Sequence, residues 1–354
     1  MGKSAAPRLA MVMIARDEAR CVGRALESVA RHVDQMIVLD TGSTDQTREI
    51  ARAKGAQVFE FAWCDDFAAA RNAALALSDA DWNLIVDADE WLDGDASPLA
   101  ALPAGGGFVG QVRVLSETNG QGVEGIGSSW IPRLLPKGVR YEGRVHEQPV
   151  SPLPHRPIDI ALRHDGYLAE HLERKAGRNE ALLLAELEVR PGDAYLWFQL
   201  GKEYAVRGQP PQAGVCLTEA LRLTPAGAPW RHALVVRAIT ALKSAERLDE
   251  ALALADAEIN AWQGSPDFFF AVGDLYLECA TRQPDRAASD FLPVVELAWK
   301  KCLEIGEAPH LDGAVAGRGS HMAAHNLAVF YETLGREDLA ADYQQLAAAL
   351  RKAA

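Results

Sequence analysis

The chain has 354 residues, enough for two or three domains and a sizeable core, and a formal net charge of −13, which speaks against nonspecific binding to nucleic acid or to an anionic membrane surface. Its five cysteines are scattered without C-x-x-C spacing, which reads as reduced thiols and leaves no zinc site. No run approaches about eighteen apolar residues, and Leu9 to Ala15 is too short for a signal-peptide core, so a cytoplasmic protein without a membrane span is expected.

The first part alternates strand and helix signals. Leu9 to Ile14 reads as a buried strand, and Glu18 to Arg31 as a helix with Val22, Leu26 and Val29 on one face. Met36 to Leu39 is a second strand, ending at Asp40. Ser43 and Gln46 have capping-box spacing and open a helix towards Lys54. Gly55 ends it, Gln57 to Phe61 is a third strand, and Asp65 or Asp66 can cap a helix through Phe67, Ala70 and Leu77. The fourth strand follows Trp82 and ends abruptly in Asp87-Ala88-Asp89-Glu90. Strands alternating with helices in this way imply βαβ units and a parallel sheet.

Beyond Pro98 the pattern loosens. Phe108 to Leu115 alternates as a strand, Ser129 to Val150 mixes short strands with Pro and Gly and is expected to be irregular and near a site, and Pro152, Pro154 and Pro157 mark a stiff connector. From about Glu170 the chain is helical. Trp197, Leu200, Gly201, Tyr204, Gly208, Ala213, Leu217, Ala220 and Pro225 fall at the spacing of the tetratricopeptide signature. Leu327, Ala328, Tyr331, Gly335 and Ala340 repeat it. Phe269, Val272, Gly273 and Tyr276 start a further copy, whose second helix is displaced by an insertion around Pro284 to Pro293. Gly319-Ser320-His321-Met322 lies inside the periodic run and is read as native sequence.

The chemistry concentrates at the ends of the strands. Carboxylates at the carboxyl end of a buried parallel strand sit where ligands bind in open α/β sheets. Two of them two residues apart can share one hard cation, and that cation can carry nucleotide phosphates. Asp40-Thr41-Gly42-Ser43 looks like an aspartic-protease signature, but that mechanism needs a second such lobe, and no second D-T-G exists. A D-x-D-x-T phosphatase fails because Gly42 stands in place of the second Asp. A nucleotidyltransferase would want a Gly-rich basic loop after the first strand, and Arg16-Asp17-Glu18 is not one. Since parallel strand ends share one edge, Asp40 could accept hydrogen bonds from a base or ribose, Arg71 could face phosphate and Asp89 could hold a metal. Plainer roles stand beside these: Asp40 as a turn former, and Arg71 paired with Asp66 across a helical turn.

Together these stretches resemble a family 2 glycosyltransferase of the GT-A fold with a C-terminal tetratricopeptide tail. Asp40-Thr41-Gly42-Ser43-Thr44-Asp45 is similar to the family's D-x-G-S-x-D-x-T loop, and Asp87-Ala88-Asp89 to its D-x-D. Asp66-Phe67-Ala68-Ala69-Ala70-Arg71-Asn72 and Gly143-Arg144-Val145-His146-Glu147-Gln148-Pro149 are similar to a branch carrying such a tail. His164-Asp165-Gly166-Tyr167, with Lys175 and Asn179, resembles its junction between domains. The resemblance implies an α/β GT-A domain over residues 1–165 and an all-α TPR-like domain over 166–354. It also implies inverting transfer from a nucleotide sugar, most often a UDP-hexose, with Mg²⁺ or Mn²⁺. Ala15, Asp17, Glu18, Asp40, Gly42, Arg71, Asp87 and Ala88 would then line the donor site, with Asp89 a metal ligand. Asp17 departs from the pattern, which more often has Asn there. The acceptor would be a glycan, a lipid-linked glycan or a peptide, and the helices would serve a homodimer or a protein partner. The contrasting expectation is a non-catalytic scaffold with a relic GT-A domain.

An inverting transfer needs a group to take the acceptor's proton from the side opposite the leaving diphosphate. Glu147 is the expected general base and His146 a metal or diphosphate contact, with Asp165 and Glu90 as rival bases and an Arg144 ion pair as the plainer role for Glu147. Neighbouring residues on a strand face opposite ways, so His146 and Glu147 share a site only if the chain bends there, which Gly143 and Pro149 favour.

Overall fold

Continuous apolar runs become the central strands, because residues such as Met11, Met13, Leu84 and Ile85 can be buried on both faces of a parallel sheet only if helices cover it. The computed structural model describes residues 6–120, 123–164 and 177–353. It divides into two compact units, one of residues 1–118 and 129–182 and one of residues 119–128 and 183–354.

In the first unit, β1 (Leu9–Ala15) lies between β2 (Gln35–Asp40) and β4 (Trp82–Ile85), and β3 (Gln57–Glu60) flanks β2, all parallel. This is the expected GT-A half. The order continues from β4 through β7 (Val123–Pro136), β6 (Val109–Gly120) and β10 (His155–His164) to β5 (Glu90–Asp93). β7 runs antiparallel to β4, with Leu134 opposite Leu84. Helices α1 (Val22–Val29), α2 (Thr47–Ala53) and α3 (Phe67–Leu75) follow β1, β2 and β3. α1 is shorter than its periodic pattern. Asp66 caps α3, its carboxylate accepting the Ala69 amide at 2.8 Å.

Three local expectations change. No capping box opens α2: Asp45 takes the Thr47 amide at 2.9 Å and hydroxyl at 2.5 Å, while Ser43 Oγ accepts the Asp17 amide. The segment expected to mix short strands does hold the short pair β8 (Arg140–Glu142) and β9 (Gln148–Val150), but it opens on the end of the long strand β7. Pro132 lies beyond the Leu84–Leu134 rung, at which the register of β7 on β4 ends, so its missing N–H costs that ladder nothing. Of the prolines of the expected connector, Pro152 and Pro154 precede β10 and Pro157 lies in it; the ladder pays for Pro157, which has no N–H, with a register shift between Pro157 and Ala161.

The second unit is helical, as the repeat signature implies. Helix Ala194–Val206 packs on Pro210–Leu223, Arg231–Ser244 precedes Leu248–Glu258, and His321–Thr333 packs on Glu337–Ala353. The partner of helix Pro266–Arg282 is displaced along the chain to Leu292–Ile305, behind a short helix and a π-helical turn. A Cβ added at Gly201 would stand 2.6 Å from Leu217 Cγ, so that glycine sets how closely its two helices approach. Gly201→Ala should cost about 1–3 kcal/mol, as overpacking does. Urea unfolding of the variant checks this, and an unchanged midpoint would show that the helices separate freely. Among the described residues no helix is long and apolar enough to cross a membrane.

Candidate active site

The parallel register places Ala15 opposite Asp40 and Asp40 opposite Glu60, so the first three strands end on one edge. Two loops there are knitted together. Asp17, at φ 55°, accepts the Thr44 amide at 2.7 Å and the Thr44 hydroxyl at 3.1 Å, and the Glu18 amide donates to Thr47 Oγ1 at 2.7 Å. The Ala15 carbonyl accepts both the amide and the hydroxyl of Thr41. Asp17 thus uses its carboxylate to hold the neighbouring loop, a task that asks for an acceptor where an Asn could serve as well.

Asp40 is 1% exposed. Its Oδ1 accepts the Gly42 and Ser43 amides at 3.1 and 2.9 Å, a turn that Gly42 permits with φ 107°. So the turn-forming role is real. Its Oδ2, however, is buried without a hydrogen-bond partner. A buried carboxylate oxygen left unpaired is costly, and a donor group from a ligand is one way to satisfy it.

Asp87 lies at the centre of a buried ionic cluster. Its Oδ1 accepts Arg71 at 2.8 Å and its Oδ2 accepts Arg133 at 2.6 Å. Arg133 also donates to Glu90 Oε1 at 2.7 Å, and Glu90 Oε2 accepts the Asp87 amide at 3.0 Å. Burial alone would raise the Asp87 carboxyl, but Arg133 and Arg71 outweigh it and hold that group well below the usual carboxylate range. Burial raises Glu90, against the pull of Arg133. Arg71 completes the cluster through its Nε, which donates to Glu147 Oε1. Its partners are therefore Asp87 and Glu147, while Asp66 serves the helix cap. Glu147 likewise pairs with Arg71.

Asp89 faces an imidazole. His164, the last residue of β10, lies opposite Glu90 of β5 and Ser116 of β6. Its Nε2 comes within 3.4 Å of Asp89 Oδ2, and its Nδ1 meets Ser116 Oγ at 3.3 Å. Two adjacent ligands of a small divalent ion stand about 3 Å apart, and Mg²⁺ typically takes one or two protein groups while keeping water and substrate phosphate. One carboxylate and one oriented imidazole fit such an ion. Among the described residues no group of three or more His, Cys, Asp and Glu side chains is arranged for a metal.

His146 and Glu147 lie between β8 and β9, where the chain does bend: Gly143 has φ 97° and His146 φ 50°. The Phe67 amide donates to the Arg144 carbonyl at 2.8 Å, fixing this loop to the start of α3. Of the rival bases, Glu90 has both oxygens engaged, and Asp165 lies outside the described residues, as does most of the expected junction. Arg133 escapes the sequence reading altogether. Its one signal is a lone arginine inside the apolar run Trp130 to Leu135. His164 is singled out by sequence, but for the domain junction and not for the place beside Asp89.

Residues 11–123 match Glycosyl transferase family 2. The chain is 34% identical over 214 residues to a TPR repeat-containing protein of Synechococcus elongatus, covering 56% of this chain and 52% of that one. It is 25% identical over 222 residues to the prophage-derived glycosyltransferase SunS of Bacillus subtilis, covering 57% and 50%. The chain thus spans about half the length of these curated relatives. The solved glucosyl-3-phosphoglycerate synthase of Mycobacterium tuberculosis, in complex with Mn²⁺, UDP and product, overlays 33% of this chain and 46% of its own at 25% identity and a TM-score of 0.27, too low to bear on the site.

Proposed function

We propose that this chain, a family 2 glycosyltransferase domain followed by TPR-like helices, transfers a sugar with inversion from a nucleotide-diphosphate donor, a UDP-hexose in the favoured case. The observation that carries this reading is the Asp89–His164 pair, set beside the ion-paired Asp87 at the end of β4. Mg²⁺ or Mn²⁺ held there would neutralise the departing diphosphate as a Lewis acid. Asp40 would take a base or ribose donor group on its unpaired oxygen. Ala15, Asp17, Glu18, Gly42 and Ala88 would shape the backbone around the nucleotide, and His146 would serve the metal or the diphosphate. Such a buried set of charges has no evident use in a relic scaffold, which favours the enzyme. The acceptor belongs to the glycan, lipid-linked or peptide classes, and the helices would hold it, a partner protein or a second copy.

A thermal-shift panel of nucleotide sugars with and without Mn²⁺ tests the reading. A true donor at 100 times its dissociation constant should stabilise by about 2.7 kcal/mol. No metal-dependent shift with any nucleotide sugar would remove it.

Glu147 is proposed as the base. Arg71 holds its Oε1, which leaves Oε2 to meet the acceptor. Glu147→Gln should keep donor affinity and lose turnover by about 10²-fold or more. Near-normal turnover would pass the role to another group.

A further inference from the structure

Among the described residues, Tyr141 is a buried side chain beside the ionic cluster whose polar group the proposed chemistry does not use. It is 5% exposed, and its hydroxyl is buried without a hydrogen-bond partner. Its backbone is held on both sides by Asn72, whose Nδ2 donates to the Tyr141 carbonyl at 2.9 Å and whose Oδ1 accepts the Tyr141 amide at 2.8 Å. The Arg71 guanidinium lies 5.5 Å from the ring centre. The ring also belongs to the apolar cluster of Ile85, Leu135 and Val139, and burial raises the hydroxyl's pKa against the pull of Arg71 and Arg133, so the group stays a neutral donor. Arg133 Nε, in the same cluster, is also buried without a partner. Two unsatisfied donors there call for an acceptor oxygen. The carboxylates of the cluster at least match its guanidiniums, so no surplus positive charge is left for a phosphate. A neutral hydroxyl fits better: it can accept from Tyr141 and pass its own proton's hydrogen bond to a carboxylate.

The geometry points to Tyr141 as a specificity-determining residue that hydrogen-bonds a hydroxyl of the transferred sugar. The inference rests on the donor reading above and deepens it. The donor sugar is named as the source of that hydroxyl because Tyr141 lies against Arg71, which pairs with Asp87, the first carboxylate of the acidic triplet. A site built around a substrate hydroxyl discriminates strongly against the analogue lacking it, because its own buried groups are then left unpaired.

The test is calorimetric titration of the full chain and of Tyr141→Phe, in Mn²⁺, with UDP, UDP-glucose, UDP-galactose and UDP-N-acetylglucosamine. The unsubstituted protein should bind one UDP-sugar more tightly than UDP. If it binds none of them more tightly, the donor reading itself fails before any substitution is made, and this assignment with it. Tyr141→Phe should bind UDP as before and lose about tenfold in affinity for the preferred UDP-sugar. Its melting temperature without ligand should stay or rise, since an unpaired buried hydroxyl has been removed. A full UDP-sugar preference in the variant overturns the assignment, as does an equal loss for UDP and UDP-sugar. Should the variant not fold, singly deoxygenated analogues of the preferred sugar offered to the unsubstituted protein decide the matter: one of them must lose the preference, and equal binding of all of them overturns it.

Discussion

Asp89→Ala should leave nucleotide binding blind to metal: UDP affinity with Mn²⁺ falls to the value without it, and turnover falls to background. β4 ends at Ile85, and the turn that follows presents Asp87 inward to two guanidiniums and Asp89 to His164. Only the second carboxylate has an imidazole beside it, and Asp87 is already neutralised by Arg71 and Arg133. Removing Asp89 therefore takes away the charged member of the Asp89–His164 pair, and a neutral imidazole holds Mg²⁺ or Mn²⁺ poorly, since both prefer oxygen. His164→Ala should do less, weakening the metal dependence without abolishing it. Calorimetry of UDP binding with and without Mn²⁺ reads both variants. Full metal dependence in Asp89→Ala would move the ligand role elsewhere.

Arg133→Met should be the most destabilising single change in the first unit. Arg133 is buried between Asp87 and Glu90, and methionine keeps its apolar stem while leaving two carboxylates short of a partner. Breaking a buried ion pair on one side costs about 3–5 kcal/mol. For a unit of this size that lowers the melting temperature by roughly 10 °C. The deficit should depend on pH, with a sign that separates the two carboxylates. Asp87, held low in the fold, contributes stability that is present above about pH 4, its unfolded value, and is lost as pH falls through the depressed folded value. Glu90, raised in the fold, acts oppositely: its cost grows as pH rises from about 4 through the raised value. Without Arg133 the Glu90 cost is larger, so the gap between variant and parent should narrow on acidification towards about pH 4–5. A gap that is constant with pH would mean that Arg133 acts through packing alone.

How much of this was legible depends on whether a residue's partners are local. The parallel half is readable because its central strands are largely apolar runs followed by a polar turn. Asp40, Arg71 and Asp87 stand out because they break that pattern. Gly201 and Leu217 announce a helix pair because a tight approach needs a small residue at a fixed offset. Arg133 is different: its partners are 46 and 43 residues away in the chain, and only the antiparallel register of β7 on β4 brings them within reach. β10 is obscured by prolines that usually argue against a strand, and its bulge shows how the sheet accommodates one of them. His164 gains its place only because β10 joins the sheet between β5 and β6.

The tip of the β6–β7 hairpin has a consequence for how such a protein can be rebuilt. Residues 119–128 group with the helices, so the chain crosses between its two units at 118/119, 128/129 and 182/183. Within the helical unit, Gly127 and Ser128 pair with Val315 and Ala314. A chimaera that grafts a foreign tail by one crossover after residue 182 would therefore carry an orphaned strand edge, the kind of surface on which chains aggregate. A transplant that works must move two pieces together, the hairpin tip and the tail. Recombination between relatives should show the same linkage, with mosaic proteins surviving when both pieces come from one parent.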